Sequence, residues 1–152
     1  MIEIQKTKPQ LESALADFFR RINSKEIVEK FSPHEFNDEQ AHLLCHFSGK
    51  DQYFLTTCRD QVVGYGMLRG WDEGYPVPSL GLCVDPQFQG FGLGVLMMQH
   101  LISVAKVLSS EKIILKVKKN NESAIRLYQK MGFELTELDQ DFLNGTLLLK
   151  RK

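Results

Sequence analysis

The stretch best equipped for chemistry reads Leu82-Cys83-Val84-Asp85-Pro86-Gln87-Phe88-Gln89-Gly90-Phe91-Gly92-Leu93-Gly94-Val95. An apolar strand ends, a glycine-rich turn follows, and a long helix begins. Glycines let backbone approach a ligand closely, and the first N–H groups of a helix have no internal partner. With the positive end of the helix dipole, those groups make an anion site that suits phosphate. The same spelling also describes an ordinary tight strand–helix turn, so two readings stand. A Walker A loop is excluded, because no Gly-Lys-Ser/Thr closes the turn. A dinucleotide fingerprint needs a small residue where Val95 stands and an acid ending the next strand, which instead ends Val117-Lys118-Lys119.

Such a turn works only if flanking elements hold it. Residues 2–6 read as a strand. Thr7-Lys8-Pro9-Gln10 has capping-box spacing, and Leu11, Ala14, Leu15, Phe18 and Ile22 then form one apolar helical face. Residues 24–36, with Pro33, read as a long loop with a candidate binding role. Asn37 followed by Gln40 starts a short helix over about residues 38–47. Strands over 53–58 and 62–68 meet in a hairpin at Arg59-Asp60-Gln61, and residues 70–76 form a loop. A strand over 79–84, a helix over 91–108, a strand over 112–117 and a helix over 122–131 capped by Gly132 follow. Two closing strands fall near 133–138 and 142–150, with Asn144-Gly145 close to their junction. This is an α/β (α+β) sandwich around one sheet, and no linker or repeat divides the chain, so residues 1–152 read as one domain.

The glycine turn, as Gln89-x-x-Gly92-x-Gly94 preceded by Val84-Asp85-Pro86, resembles the acetyl-CoA pyrophosphate loop of the GNAT N-acetyltransferase superfamily. A second block resembles the same family in the same order: Leu115-x-Val117, then Asn121-x-x-Ala124-Ile125-x-Leu127-Tyr128-x-x-x-Gly132-Phe133. Together the blocks cover residues 80–133.

The resemblance implies a mixed, mostly antiparallel sheet of about seven strands with about four helices, two parallel strands splaying to admit CoA. It implies that Leu82, Cys83 and Val84 run along the pantetheine arm by strand augmentation. Gln89, Gly90, Phe91, Gly92, Leu93, Gly94 and Val95 would wrap the pyrophosphate, and Asn121 would bond the arm. It further implies acetyl transfer from acetyl-CoA to a primary amine by direct attack, with Tyr128 as general acid to the CoA thiolate.

A phenol with a pKa near ~10 holds its proton at neutral pH, as that role requires; outside the motif the same tyrosine reads as core. Many relatives carry a glutamate base on a splayed strand, but here Lys116 holds a matching position and residues 79–84 contain no acid. Asp72 and Glu73 are the nearest candidates for a base or substrate loop, between Trp71 and Tyr75, and equally describe a solvated turn. A rival reading is a CoA-binding sensor or scaffold without chemistry; turnover on amines separates the two.

His42 and His46 share a helix face, but without an HExxH pattern or an evident third ligand no metal is expected. Cys83 would lie near the thioester, yet no histidine adjoins it in sequence to activate it, so it reads as structural.

Nineteen Lys+Arg balance nineteen Asp+Glu in 152 residues, a net charge of zero that argues against nucleic-acid and polybasic membrane partners. Three cysteines, no long apolar run and no signal-like start point to the cytoplasm. The acceptor reads as a small-molecule amine, and the resemblance leaves room for a homodimer. Neutrality conceals a basic segment, with Lys112, Lys116, Lys118, Lys119, Arg126 and Lys130 against Glu122 alone over residues 112–130. Such a segment favours an anionic ligand.

Overall fold

Alternating strand and helix periods in the chain resolve, in the computed structural model, into one sheet carrying helices on both faces; residues 1–149 are described. The strands are β1 (Ile2–Lys6), β2 (Gln52–Cys58), β3 (Gln61–Arg69), β4 (Ser79–Val84), β5 (Lys112–Lys118), β6 (Glu134–Glu137) and β7 (Phe142–Leu148). The helices are α1 (Glu12–Ile22), α2 (Lys25–Lys30), α3 (Asp38–Cys45), α4 (Leu93–Val107) and α5 (Glu122–Lys130). Strand order is β1-β2-β3-β4-β5-β7-β6. Every neighbouring pair is antiparallel except β4 with β5, which are parallel. The parallel step follows from chain economy: α4 carries the chain from the end of β4 back to the start of β5, a crossover that antiparallel hairpins do not need.

Strand alternation divides the core between the two faces. Tyr53, Leu55, Tyr65 and Met67 pack with Leu15, Phe18, Phe19 and Ile22 of α1 and with Ala41 and Leu44 of α3. Phe54, Leu68, Leu80, Ile113, Leu115 and Val117 pack instead with Met97, Met98 and Leu101 of α4 and with Tyr128 of α5. Gly66 lets α4 lie against the sheet, since a Cβ there would stand 2.6 Å from Met97 Sδ.

Four local expectations are corrected. Residues 24–36 are not all loop: Ser24 accepts a hydrogen bond from the Ile27 amide and starts α2, a fifth helix beyond the four expected. Thr7 makes no cap, because a 3-10 turn at Pro9–Leu11 precedes α1 and the Thr7 amide donates to Tyr53 O at 3.1 Å. Asn144-Gly145 lies inside β7, not at the turn. That turn is made by Asp139, whose Oδ1 accepts from the amides of Asp141 and Phe142, both at 2.9 Å. Gly145 is where side chains of neighbouring strands close over the backbone; a Cβ would sit 2.7 Å from Leu115 Cδ1 and 2.9 Å from Leu135 Cδ2. The strand expected to reach residue 150 ends at Leu148, and residue 150 lies outside the described residues.

Candidate active site

The parallel pair is barely a pair. Ser79 and Ile114 are the sole register partners of β4 and β5, and the Ile114 amide donates to Pro78 O at 3.0 Å. Beyond that point residues 81–84 pair with β3 and residues 115–118 with β7, but not with each other. The sheet therefore opens into a V whose two inner edges carry main-chain polar groups that need a partner. Leu82, Cys83 and Val84 stand on one edge, each half-buried.

At the end of β4 the glycine turn is built on Asp85, which the motif spelling includes without a role for its side chain. Its Oδ1 accepts from the Gln87 amide at 3.0 Å, and its Oδ2 accepts from Arg21 Nε at 3.0 Å. Arg21 also donates to Val62 O at 2.6 Å, tying the turn to α1 and β3. The Asp85 side chain is only 3% exposed, so its charge depends on that pairing. Gln89 is extended as the chain leaves a 3-10 turn at Pro86–Phe88, and Gly90 and Gly92 take φ of +86° and +81°. These are left-handed values that favour glycine. Phe91 is exposed, and Leu93 anchors α4 from below. Among the described residues, the amides of Gly90, Phe91, Gly92, Leu93, Gly94 and Val95 donate to no protein acceptor. Gly94 brings α4 and α5 together, since a Cβ there would stand 3.3 Å from Leu127 Cδ2.

The mouth of the V continues into a cavity of about 600 Å³ lined from β3, β4, β5, β6, β7, Tyr128 and residues 30–33. Tyr128 is buried, its ring 5.7 Å from that of Phe133. Burial pushes its phenol well above the ordinary tyrosine value, and Cys83 adds to the shift. Cys83 is itself pushed up to about 12, chiefly by burial and then by Asp85, so it remains a thiol at neutral pH. Asn121 caps α5: its Oδ1 accepts from the Ala124 amide at 3.4 Å, and its Nδ2 has no acceptor among the described residues.

Asp72 and Glu73 do not line this cavity. Asp72 is a turn clamp, its two carboxylate oxygens accepting from the amides of Lys50 and Asp51, each at 2.9 Å. Those bonds hold its carboxyl below the usual carboxylate range, which weakens it as a base. Glu73 is exposed on a 3-10 turn. No carboxylate among the described residues lines the cavity. His42 and His46 do share a face as expected, and the sequence reading missed the partner that joins them. Glu12 Oε1 lies 3.0 Å from His42 Nδ1 and 2.9 Å from His46 Nε2. Only the docking of α1 on α3 brings that carboxylate across, so local sequence carried no signal for it.

A protein-family model described as the acetyltransferase (GNAT) family matches residues 13–133. The chain belongs to the GNAT acetyltransferases. It is 33% identical over 114 residues to the peptidyl-lysine N-acetyltransferase YjaB of Escherichia coli (strain K12), covering 74% of this chain and 70% of that protein. It is 38% identical over 80 residues to the spermine/spermidine N(1)-acetyltransferase of Bacillus subtilis (strain 168), covering 49% of this chain and 53% of that one. The crystal structure of spermidine N-acetyltransferase from Vibrio cholerae in complex with CoA and spermine superposes with a TM-score of 0.77. That match has 18% identity and covers 97% of this chain and 95% of the other, so it concerns the fold alone. As a GNAT protein the chain is an N-acetyltransferase. Among the described residues no helix is long and apolar enough to cross a membrane.

Proposed function

We propose that this GNAT protein, a single domain working in the cytoplasm, transfers the acetyl group of acetyl-CoA to a small primary amine by direct attack in a ternary complex. The observation that carries the reading is that Tyr128 lines the cavity continuous with the open β4–β5 seam. Acetyl-CoA supplies an activated acetyl thioester. Main-chain groups of Leu82, Cys83 and Val84 bind its arm as an added strand, and the Nδ2 amide of Asn121 donates to the same arm. Gln89 leads the chain into the turn, where the unpaired amides from Gly90 to Val95 hold the pyrophosphate at the start of α4. A β4 amide stabilises the oxyanion as the amine attacks, and the Tyr128 hydroxyl gives its proton to the departing sulfur. The raised phenol pKa keeps that proton in place across the neutral range.

Thiol release from acetyl-CoA across an amine panel tests the reading. Tyr128→Phe is expected to lower kcat by about a hundredfold or more, with KM for acetyl-CoA within about twofold of the parent. Tight CoA binding with no thiol release on any amine would instead establish the sensor or scaffold reading.

A further inference from the structure

The cavity beside Tyr128 has a one-sided charge. Lys30 at the end of α2, Arg69 at the end of β3, and Lys116 and Lys118 on β5 all line it, while no carboxylate among the described residues does. Lys116 and Lys118 are two residues apart on one strand and so share a face. Arg69 is fixed by donating to Pro33 O at 3.3 Å, and Lys118 Nζ lies 5.6 Å from the centre of the Phe142 ring. A polyamine or a lysine-rich peptide entering here meets like charge from α2, β3 and β5, and like charges set against each other without counter-ions are costly.

We propose that the acceptor is a primary amine carrying a carboxylate or phosphate, whose anion is held by these four cations. The proposal rests on the acetyl-transfer reading above. It also accounts for the missing base. Cations around the bound amine disfavour its ammonium form, so the amine sheds its proton to solvent and presents a lone pair. The nitrogen then forms the C–N bond as the C–S bond breaks. Tyr128 protonates the sulfur, and the proton lost by the acetylated nitrogen passes through solvent to restore the phenol. Amine and acetyl-CoA thus become amide and free thiol with no net proton consumed beyond the neutral amine.

Matched pairs test it: β-alanine against β-alaninamide, phosphoethanolamine against ethanolamine, with spermidine as the cationic control. The anionic member of at least one pair is expected to exceed its neutral partner and spermidine by about tenfold or more in kcat/KM. Which pair responds separates carboxylate from phosphate. Lys116→Glu and Lys30→Glu, both at exposed positions, should reverse that preference while KM for acetyl-CoA stays within about twofold. Spermidine or a neutral amine equalling the anionic ones overturns the proposal and leaves acetyl transfer intact. So does a Lys116→Glu effect confined to acetyl-CoA, which would assign the cations to the cofactor. No thiol release from any acceptor, with CoA still bound, overturns acetyl transfer itself and this proposal with it.

A second, independent observation lies between α1 and α3. Glu12, His42 and His46 bring one carboxylate oxygen and two ring nitrogens within 4.8 Å of one another. Tetrahedral bonds of ~2.0–2.1 Å place neighbouring donors roughly 3.3 Å apart, and Glu12 Oε1 lies 3.0 and 2.9 Å from the two histidine nitrogens. We infer a surface site for one divalent transition-metal ion of the zinc class, with water at the open position, bridging α1 to α3. Zinc titrated into tag-free, chelator-treated protein should bind at one equivalent and raise Tm, and His42→Gln or Glu12→Gln should remove both effects. Absence of binding at about 100 μM zinc, or binding that survives both substitutions, rejects the site; the cluster then provides only the hydrogen bonds between Glu12 and the two rings.

Discussion

A carboxylate or an imidazole has no fixed office in this chain; its partners assign one. The surrounding motif singles out Tyr128 in the sequence, and burial makes its phenol hold its proton firmly. Asp72 was equally visible, yet its two amide partners lie about twenty residues upstream, and no local pattern announces them. Asp72→Ala should therefore lower Tm and leave kcat/KM nearly unchanged, a split measured by pairing thermal denaturation with thiol release. His34 offers a pH reading. Its Nε2 is 2.8 Å from the Tyr65 hydroxyl and its Nδ1 is 2.8 Å from Glu35 O, so the neutral ring donates from Nδ1 and accepts at Nε2. Burial lowers its pKa, with Arg69 a further cause. The unfolded chain then takes up a proton near ~6.5 before the folded one does, so stability falls as pH drops from that value toward the lower folded pKa. In urea melts, His34→Gln should flatten that slope; an unchanged slope would show that another group carries it.

Elements were readable where local chemistry and tertiary packing agree. The second half of the chain, from β4 through α5, satisfies strand period, glycine turn, helix period and cap in succession, and its boundaries fell within about two residues of expectation. The first half was less legible. The α2 helix is six residues long with no buried side chain, so it writes no amphipathic stripe, and Ser24 alone announces it. Asn144-Gly145 has hairpin spelling, but the glycine serves the close approach of Leu115 and Leu135, and Asp139 makes the turn instead. The Arg21–Asp85 link was invisible because its members are 64 residues apart. It is the strut beneath the glycine turn. Arg21→Ala leaves a buried carboxylate without its cation and is expected to cost about 3 kcal/mol in urea unfolding while weakening CoA binding. Arg21→Lys should recover part of both. Gly92→Glu acts from the opposite side: nothing crowds a Cβ there, so the fold should persist, while left-handed strain and a negative charge abolish CoA binding by calorimetry.

At the scale of the whole molecule, the seam between β4 and β5 separates two groups of strands, four on one side and three on the other. Each group is continuously paired inside itself, yet they meet through Ser79–Ile114 and through α4, which packs on both. A sheet opened in this way gives up ladder bonds that an uninterrupted sheet would make, and those edge groups are the ones a bound arm would satisfy. Ligand and fold should therefore be strongly linked. At CoA a hundredfold above Kd, binding alone adds about 2.7 kcal/mol, which for a chain of this size corresponds to a Tm increase of roughly 5–10 °C. Linkage alone does not say where protection appears. If CoA bridges the seam, amide exchange should slow at residues 81–84, 90–95 and 115–118 together, across both groups of strands. Protection confined to residues 90–95 would mean that the pyrophosphate is held and the arm is not, leaving the seam open and the acetyl group unplaced beside Tyr128.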